Sequence, residues 1–270
     1  MSLNRADYDE PRCLLNMHPE ITRIPIGRIL DRLDSLLERK DYPAAERLLQ
    51  NWLREAEAGN DRQGKLTVLN EQIGLYRKTD RRQPCLAAID EALRLVTELD
   101  FADTVTGGTT YVNAATGYKA FGRSAEALPL YQLAEKAYLR RLDPADGRLA
   151  ALYNNMALAL AELKRYDEAE VMYEKALCVL ERQEHPELEK AITYLNLADL
   201  VTARLGPEAA EGRVFDYVSR ADRLFDTESL PRDGYYAFVC EKCAPIFDYY
   251  GFFMAKLKLE QRAKEIYERT

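Results

Sequence analysis

A short block returns along this chain at steps of 42 and 41 residues: Tyr111-Val112-Asn113, then Tyr153-Asn154-Asn155, then Tyr194-Leu195-Asn196. Behind each tyrosine runs the same sparse pattern of small and aromatic residues. If Tyr153 is position 4 of a unit, Ala157 falls at 8, Ala169 at 20, Tyr173 at 24 and Ala176 at 27. The block before it repeats this with Tyr111, Ala115, Tyr118, Gly122, Ala127, Tyr131 and Ala134. Small residues at three fixed places let two helices approach closely, and the larger ones fill the space between them. Self-similarity at this period predicts stacked helical hairpins, each too small to bury its apolar face alone.

The phase extends in both directions. Leu69, Tyr76, Cys85, Ile89 and Ala92 carry it upstream, preceded by Ile29, Leu33, Leu36, Ala45, Leu49 and Trp52. Downstream come Tyr194, Ala198, Val201, Ala210 and Val214, with Leu205-Gly206-Pro207 as a helix stop followed by a start. A sixth, degenerate unit is read around Ala244, Phe247 and Gly251. Gly122 is expected to take the positive φ that ends a helix. Gly107-Gly108-Thr109-Thr110 reads as a turn and helix N-cap, and not as a phosphate loop, because no Gly-Lys-Ser/Thr follows it.

These residues resemble the tetratricopeptide repeat. The longer period, Asn154-Asn155-Met156-Ala157 and His185-Pro186 resemble the repeats of kinesin light chain most. The resemblance covers 109–200 best and implies an all-α fold, a right-handed α-solenoid of about six such hairpins. The expected organisation is a strap or tail over 1–24 and a single solenoid domain over 25–270. The family's first helices line a concave groove, so the resemblance implies a binding mode without naming a ligand.

On that wall the phase places Asn113, Asn155 and Asn196, with Asn70 and Asn154 beside them. Asparagine is a mediocre helix former, so one per unit calls for a reason. The amides could bond the backbone of an extended peptide, donor and acceptor together, or they could bond one another between hairpins and set the stacking. The rest of the face holds Arg77, Lys78, Thr116, Lys119, Asp199 and Thr202. The basic trio among these could take an acidic segment or a terminal carboxylate, or could be a solvated surface. Leu158 and Glu162 stand where a carboxylate clamp would want a cation.

Composition excludes several functions. A net charge of −7 disfavours nucleic acid, whose phosphates require a basic footprint. No run reaches the ~18 apolar residues of a membrane helix, and Met1–Glu10 has no apolar signal core. Five cysteines, an odd number, point to free thiols in a reducing cytoplasm. Cys240-Glu241-Lys242-Cys243 is a lone pair, and the further candidates Cys13, His18 and His185 are all distant in sequence, so no metal and no cofactor is expected. Two histidines and no nucleophile–base spacing argue against an enzyme. Eight aromatics crowd residues 235–253, either closing the last hairpin or offering a face to a second copy. The leading reading is therefore a non-catalytic, cytoplasmic scaffold that binds a protein or extended peptide. The alternative is an intracellular receptor for a signalling peptide that regulates a partner without a DNA-binding domain.

Overall fold

The computed structural model describes residues 21–269, and among these it contains twelve α-helices and no strand. Residues 1–20, with Cys13, His18 and most of the expected strap, lie outside the described residues. The helices are α1 (Ile26–Glu38), α2 (Tyr42–Ala58), α3 (Arg62–Lys78), α4 (Arg82–Glu98), α5 (Val105–Ala120), α6 (Ser124–Arg141), α7 (Gly147–Glu162), α8 (Tyr166–Leu180), α9 (Glu187–Leu205), α10 (Pro207–Phe225), α11 (Gly234–Tyr249) and α12 (Phe253–Tyr267). They pair in chain order as six helical hairpins.

The array divides into two compact units, one ending at Asp143 and the other beginning at Pro144. In the first, Thr109 near the start of α5 meets Tyr138 near the end of α6 at 2.9 Å, which makes that hairpin antiparallel. In the second, Tyr236 at the start of α11 accepts from Arg262 near the end of α12 at 3.0 Å, with the same consequence.

Small residues set the closeness of every hairpin down to α10. Ala45, Cys85, Ala127, Ala169 and Ala210 recur at about one repeat apart, and each is fully buried. Cys85 is thus a small apolar side chain at the place the other units give to alanine. Larger residues one turn on fill the crossing: Leu49, Ile89, Tyr131, Tyr173 and Val214, all buried. The last unit keeps Ala244 and Phe247 in its core, and α12 closes on it through Ala255, Leu259 and Ala263, a stripe along one face at a spacing of four.

The helix ends share one device. Six junctions are three residues long, and the middle residue of each is left-handed: Lys40, Asn60, Asp80, Gly122, Lys164 and Gly251. The residue after it donates back five positions, as Arg123 N does to the Tyr118 carbonyl at 3.0 Å and Arg165 N to the Leu160 carbonyl at 2.9 Å. This is the Schellman ending, which satisfies carbonyls the last turn would otherwise leave open. Gly122 behaves as its sequence predicts, with φ +74°. Gly206, at φ +83°, is at once the end of α9 and the start of α10.

Gly107 and Gly108 differ from their expectation. They lie inside α5, whose N-cap is Thr104; the Thr104 hydroxyl accepts from Gly107 N at 3.1 Å. Packing explains them better than a turn does. A Cβ on Gly107 would stand 1.9 Å from the Phe101 carbonyl oxygen, and one on Gly108 would stand 2.6 Å from the buried Tyr138 ring.

Residues 21–25, which have no regular secondary structure, are bonded to the α2–α3 junction. Thr22 N donates to the Gly59 carbonyl, and Ile24 N donates to Asp61, both at 3.0 Å. Asp61 is almost fully buried and also caps α3 through Gly64 N at 2.9 Å, so one carboxylate fixes the helix and the segment before α1 together.

Candidate binding surface

In the first unit the surface is made by α3 and α5, which pack side by side. Asn70 is buried in that contact. Its amide donates to the Leu66 carbonyl and to the Thr110 hydroxyl, each at 3.0 Å, and its oxygen accepts from Asn113 at 2.9 Å. Thr116 meets the Tyr131 hydroxyl at 3.2 Å. Arg77 and Lys78 are exposed at the end of α3, and Lys78 sits 5.5 Å from the Tyr42 ring centre in a cation–π contact. Lys119 is half-buried near the end of α5.

In the second unit the corresponding helices are α7 and α9. Asn154 repeats the arrangement of Asn70 two units later: it donates to the Ala150 carbonyl at 3.2 Å and to the Thr193 hydroxyl at 3.0 Å. Thr110 and Thr193, which the sequence reading passed over, are therefore the inter-hairpin partners. Their signal was the threonine immediately before the phase-setting tyrosine in two of the blocks.

Asn155 and Asn196 are placed differently. Both are half-buried on neighbouring helices, and neither side chain makes a hydrogen bond to the described residues. Their amide atoms are not among the buried polar atoms that lack partners, so water reaches them. Further along α9, the Asp199 carboxylate accepts from the Tyr250 hydroxyl at 2.7 Å, and Tyr250 also lies 3.2 Å from the Thr202 hydroxyl. Burial raises the Asp199 carboxyl above its ordinary value, and the Tyr250 bond partly offsets this. The site residues thus form separate groups: Asn70, Thr110 and Asn113 in one unit, and Asn154 with Thr193, then Asp199, Thr202 and Tyr250, in the other.

Glu71 was hidden by its residue type. It stands two residues after Leu69, at the position that is asparagine in the next three units. Burial pushes its carboxyl up to about 7, with the nearby Asp34 of α1 adding to the push.

Three of the cysteines are set for packing. Cys85, Cys240 and Cys243 are buried and unbridged, and burial drives their thiols up to about 11, 11 and 12. The thiolate that metal binding or disulfide exchange requires is therefore disfavoured at Cys240 and Cys243. Of the aromatic stretch 235–253, Tyr236 and Phe247 are wholly buried, whereas Tyr235, Phe238, Tyr249 and Phe253 are exposed. Among the described residues no helix is long and apolar enough to cross a membrane.

Residues 148–213 match the model of a tetratricopeptide repeat family. No curated protein sequence matches the chain. Among solved structures, BtubC (BKLC) from P. vanneervenii is similar at TM-score 0.57 and 20% identity, over 86% of this chain and 91% of that one. The nearly identical TPR-like repeats of a protein described as a kinesin light chain from Podosopora anserina are similar at TM-score 0.53 and 14% identity, over 76% and 96%. A Q17M variant of those repeats gives 0.54. By sequence residues 148–213 are similar to the tetratricopeptide repeat, and the helical-hairpin fold of the chain is that of TPR and kinesin light chain-like repeat proteins.

Proposed function

We propose that this protein is a non-catalytic scaffold that holds a segment of another protein against the first helices of its hairpins. The observation that carries this reading is the pair Asn155 and Asn196, two amides on neighbouring helices that water reaches and no described side chain occupies. An amide offers a donor and an acceptor together, which suits a peptide backbone whatever its side chains. Asn154, Asp199 and Thr202 border them in the same unit. In the first unit Asn70 and Asn113 hold α3 to α5, and Arg77, Lys78, Thr116 and Lys119 offer a surface of that unit's own, suited to an acidic segment. Three buried, unbridged cysteines suit a reducing compartment such as the cytoplasm.

The test is capture of partners from native lysate by the immobilised protein and by Asn155→Ala/Asn196→Ala, with mass spectrometry of both the peptide and the protein fractions. A partner lost by the double variant, at unchanged melting temperature, supports the reading. Identical capture by both proteins refutes it. Recovery of a free short peptide, with no protein, would favour a peptide receptor over a scaffold.

A further inference from the structure

At the turn end of the last two hairpins lies a cleft of about 570 Å³, within the ~300–1,000 Å³ of ordinary ligand pockets. One wall is α10, which presents Glu211 and Phe215 one turn apart on a single face. The other wall is the end of α11 and its turn, with Tyr249, Tyr250 and Phe252. Gly251, at φ +78°, turns the chain sharply enough to bring these rings together.

The rings do not close on one another. Phe215 lies 5.7 Å from Phe252, tilted by 40°, and is 64% exposed. Tyr249 stands edge-on to Tyr250 at 4.9 Å and is 74% exposed. Open aromatic faces of this kind are electron-rich and attract cations.

The charged residue in the lining is Glu211, and Asp199 is bonded to the lining Tyr250. Glu211 makes no ion pair with the described residues, and neither does Asp199, which only the Tyr250 hydroxyl contacts directly. The bases nearby are already engaged: Arg204 with Asp167 and Glu170, and Lys256 with Asp248. A purely apolar occupant would leave Glu211 uncompensated beside it.

We infer that this cleft takes the side chain of an arginine from a protein partner. A guanidinium is planar and weakly hydrated, so it stacks between rings while its N–H groups reach a carboxylate. A lysine ammonium could meet Glu211 as a point charge but could not stack. The inference rests on the proposed function's premise that the chain binds protein and borders the same surface at Asp199 and Thr202, but it is tested through Glu211 and Tyr249, which the asparagine row does not use.

The experiment is ¹⁹F NMR of the full chain carrying fluorotyrosine, with the Tyr249 signal assigned by Tyr249→Phe. It is titrated with the tripeptide acetyl-Ala-Arg-Ala-amide and with its citrulline isostere, which has the same shape without the charge. The arginine peptide should shift the Tyr249 signal saturably and bind about ten-fold tighter than the citrulline peptide. Glu211→Gln, an exposed change that should leave the melting temperature alone, should bring the two peptides to equal affinity. Equal binding of both peptides to the parent, the absence of a saturable shift, or an unchanged preference in Glu211→Gln would overturn the inference. So would a Tyr249 signal that moves with protein concentration alone, which would show a second copy in the cleft. Asn155→Ala/Asn196→Ala should keep the arginine titration intact, so failure at one site is read separately from failure at the other.

Discussion

The amide of Asn113 donates to the side-chain oxygen of Asn70 at 2.9 Å, and Asn70 in turn donates to Thr110. Two asparagines of adjacent hairpins thus form one polar contact inside a helix–helix interface. Asn113→Ala would remove one net hydrogen bond and leave the buried Asn70 oxygen without a donor, a cost of about 1–3 kcal/mol. Asn196→Ala, at the corresponding place one unit beyond Asn155, should cost less than about 0.5 kcal/mol, because its amide faces water. Urea melts of the two variants check the contrast; equal losses would erase the distinction between a stacking and an open asparagine.

Ala169 is fully buried where α7 crosses α8. Ala169→Leu adds three carbons to a filled crossing and should destabilise by about 1–3 kcal/mol. Thermal unfolding within a degree of the parent would mean the crossing has room that the packing does not show.

Gly108 faces the ring of Tyr138, itself bonded to Thr109 through its hydroxyl. Gly108→Ala should therefore cost about 1–3 kcal/mol despite alanine's better helix propensity. Tyr138→Leu in the same background should return part of that loss by making room. A stabilised single variant would show that propensity outweighs the contact.

Glu71 carries a pH dependence of definite sign. Its carboxyl titrates near 4.5 ordinarily and near 7 in the fold. Between these values the folded chain binds more protons than the unfolded one, so this group's contribution to stability is full below about 4.5 and falls as pH rises through 7. Relative to Glu71→Gln, the parent should lose about 2–3 kcal/mol between pH 4.5 and 7.5. Denaturant midpoints of both proteins at the two pH values give the difference directly. Parallel profiles would mean that Glu71 is ionised in the fold.

The sequence showed most where one residue type answers one steric demand. Alanine at helix crossings and glycine at the α5–α6 turn were legible because nothing larger fits the first and few residues adopt the backbone of the second. Contacts that join two repeats were less visible. Thr110 and Asn70 mean little singly, and only the stacking of α3 on α5 puts them 3.0 Å apart. Glu71 escaped because the row was recognised by its amides, while a carboxylate can hold the same place. Gly107 and Gly108 misled because glycine serves close packing as readily as it serves turns. Lys40 and Lys164 adopt left-handed backbone with a side chain that does not announce it.

Three-residue junctions built on that left-handed residue make repeat length a counted quantity. An added residue at 39–41, 79–81 or 163–165 would displace the backbone bond that seals the preceding helix and rotate the next one off its crossing. Segments 142–146, 181–186 and 226–233 join hairpins without a left-handed residue, so they have no such tally to keep. Tags, probes or whole inserted domains belong there, and length variation between related chains should collect there too.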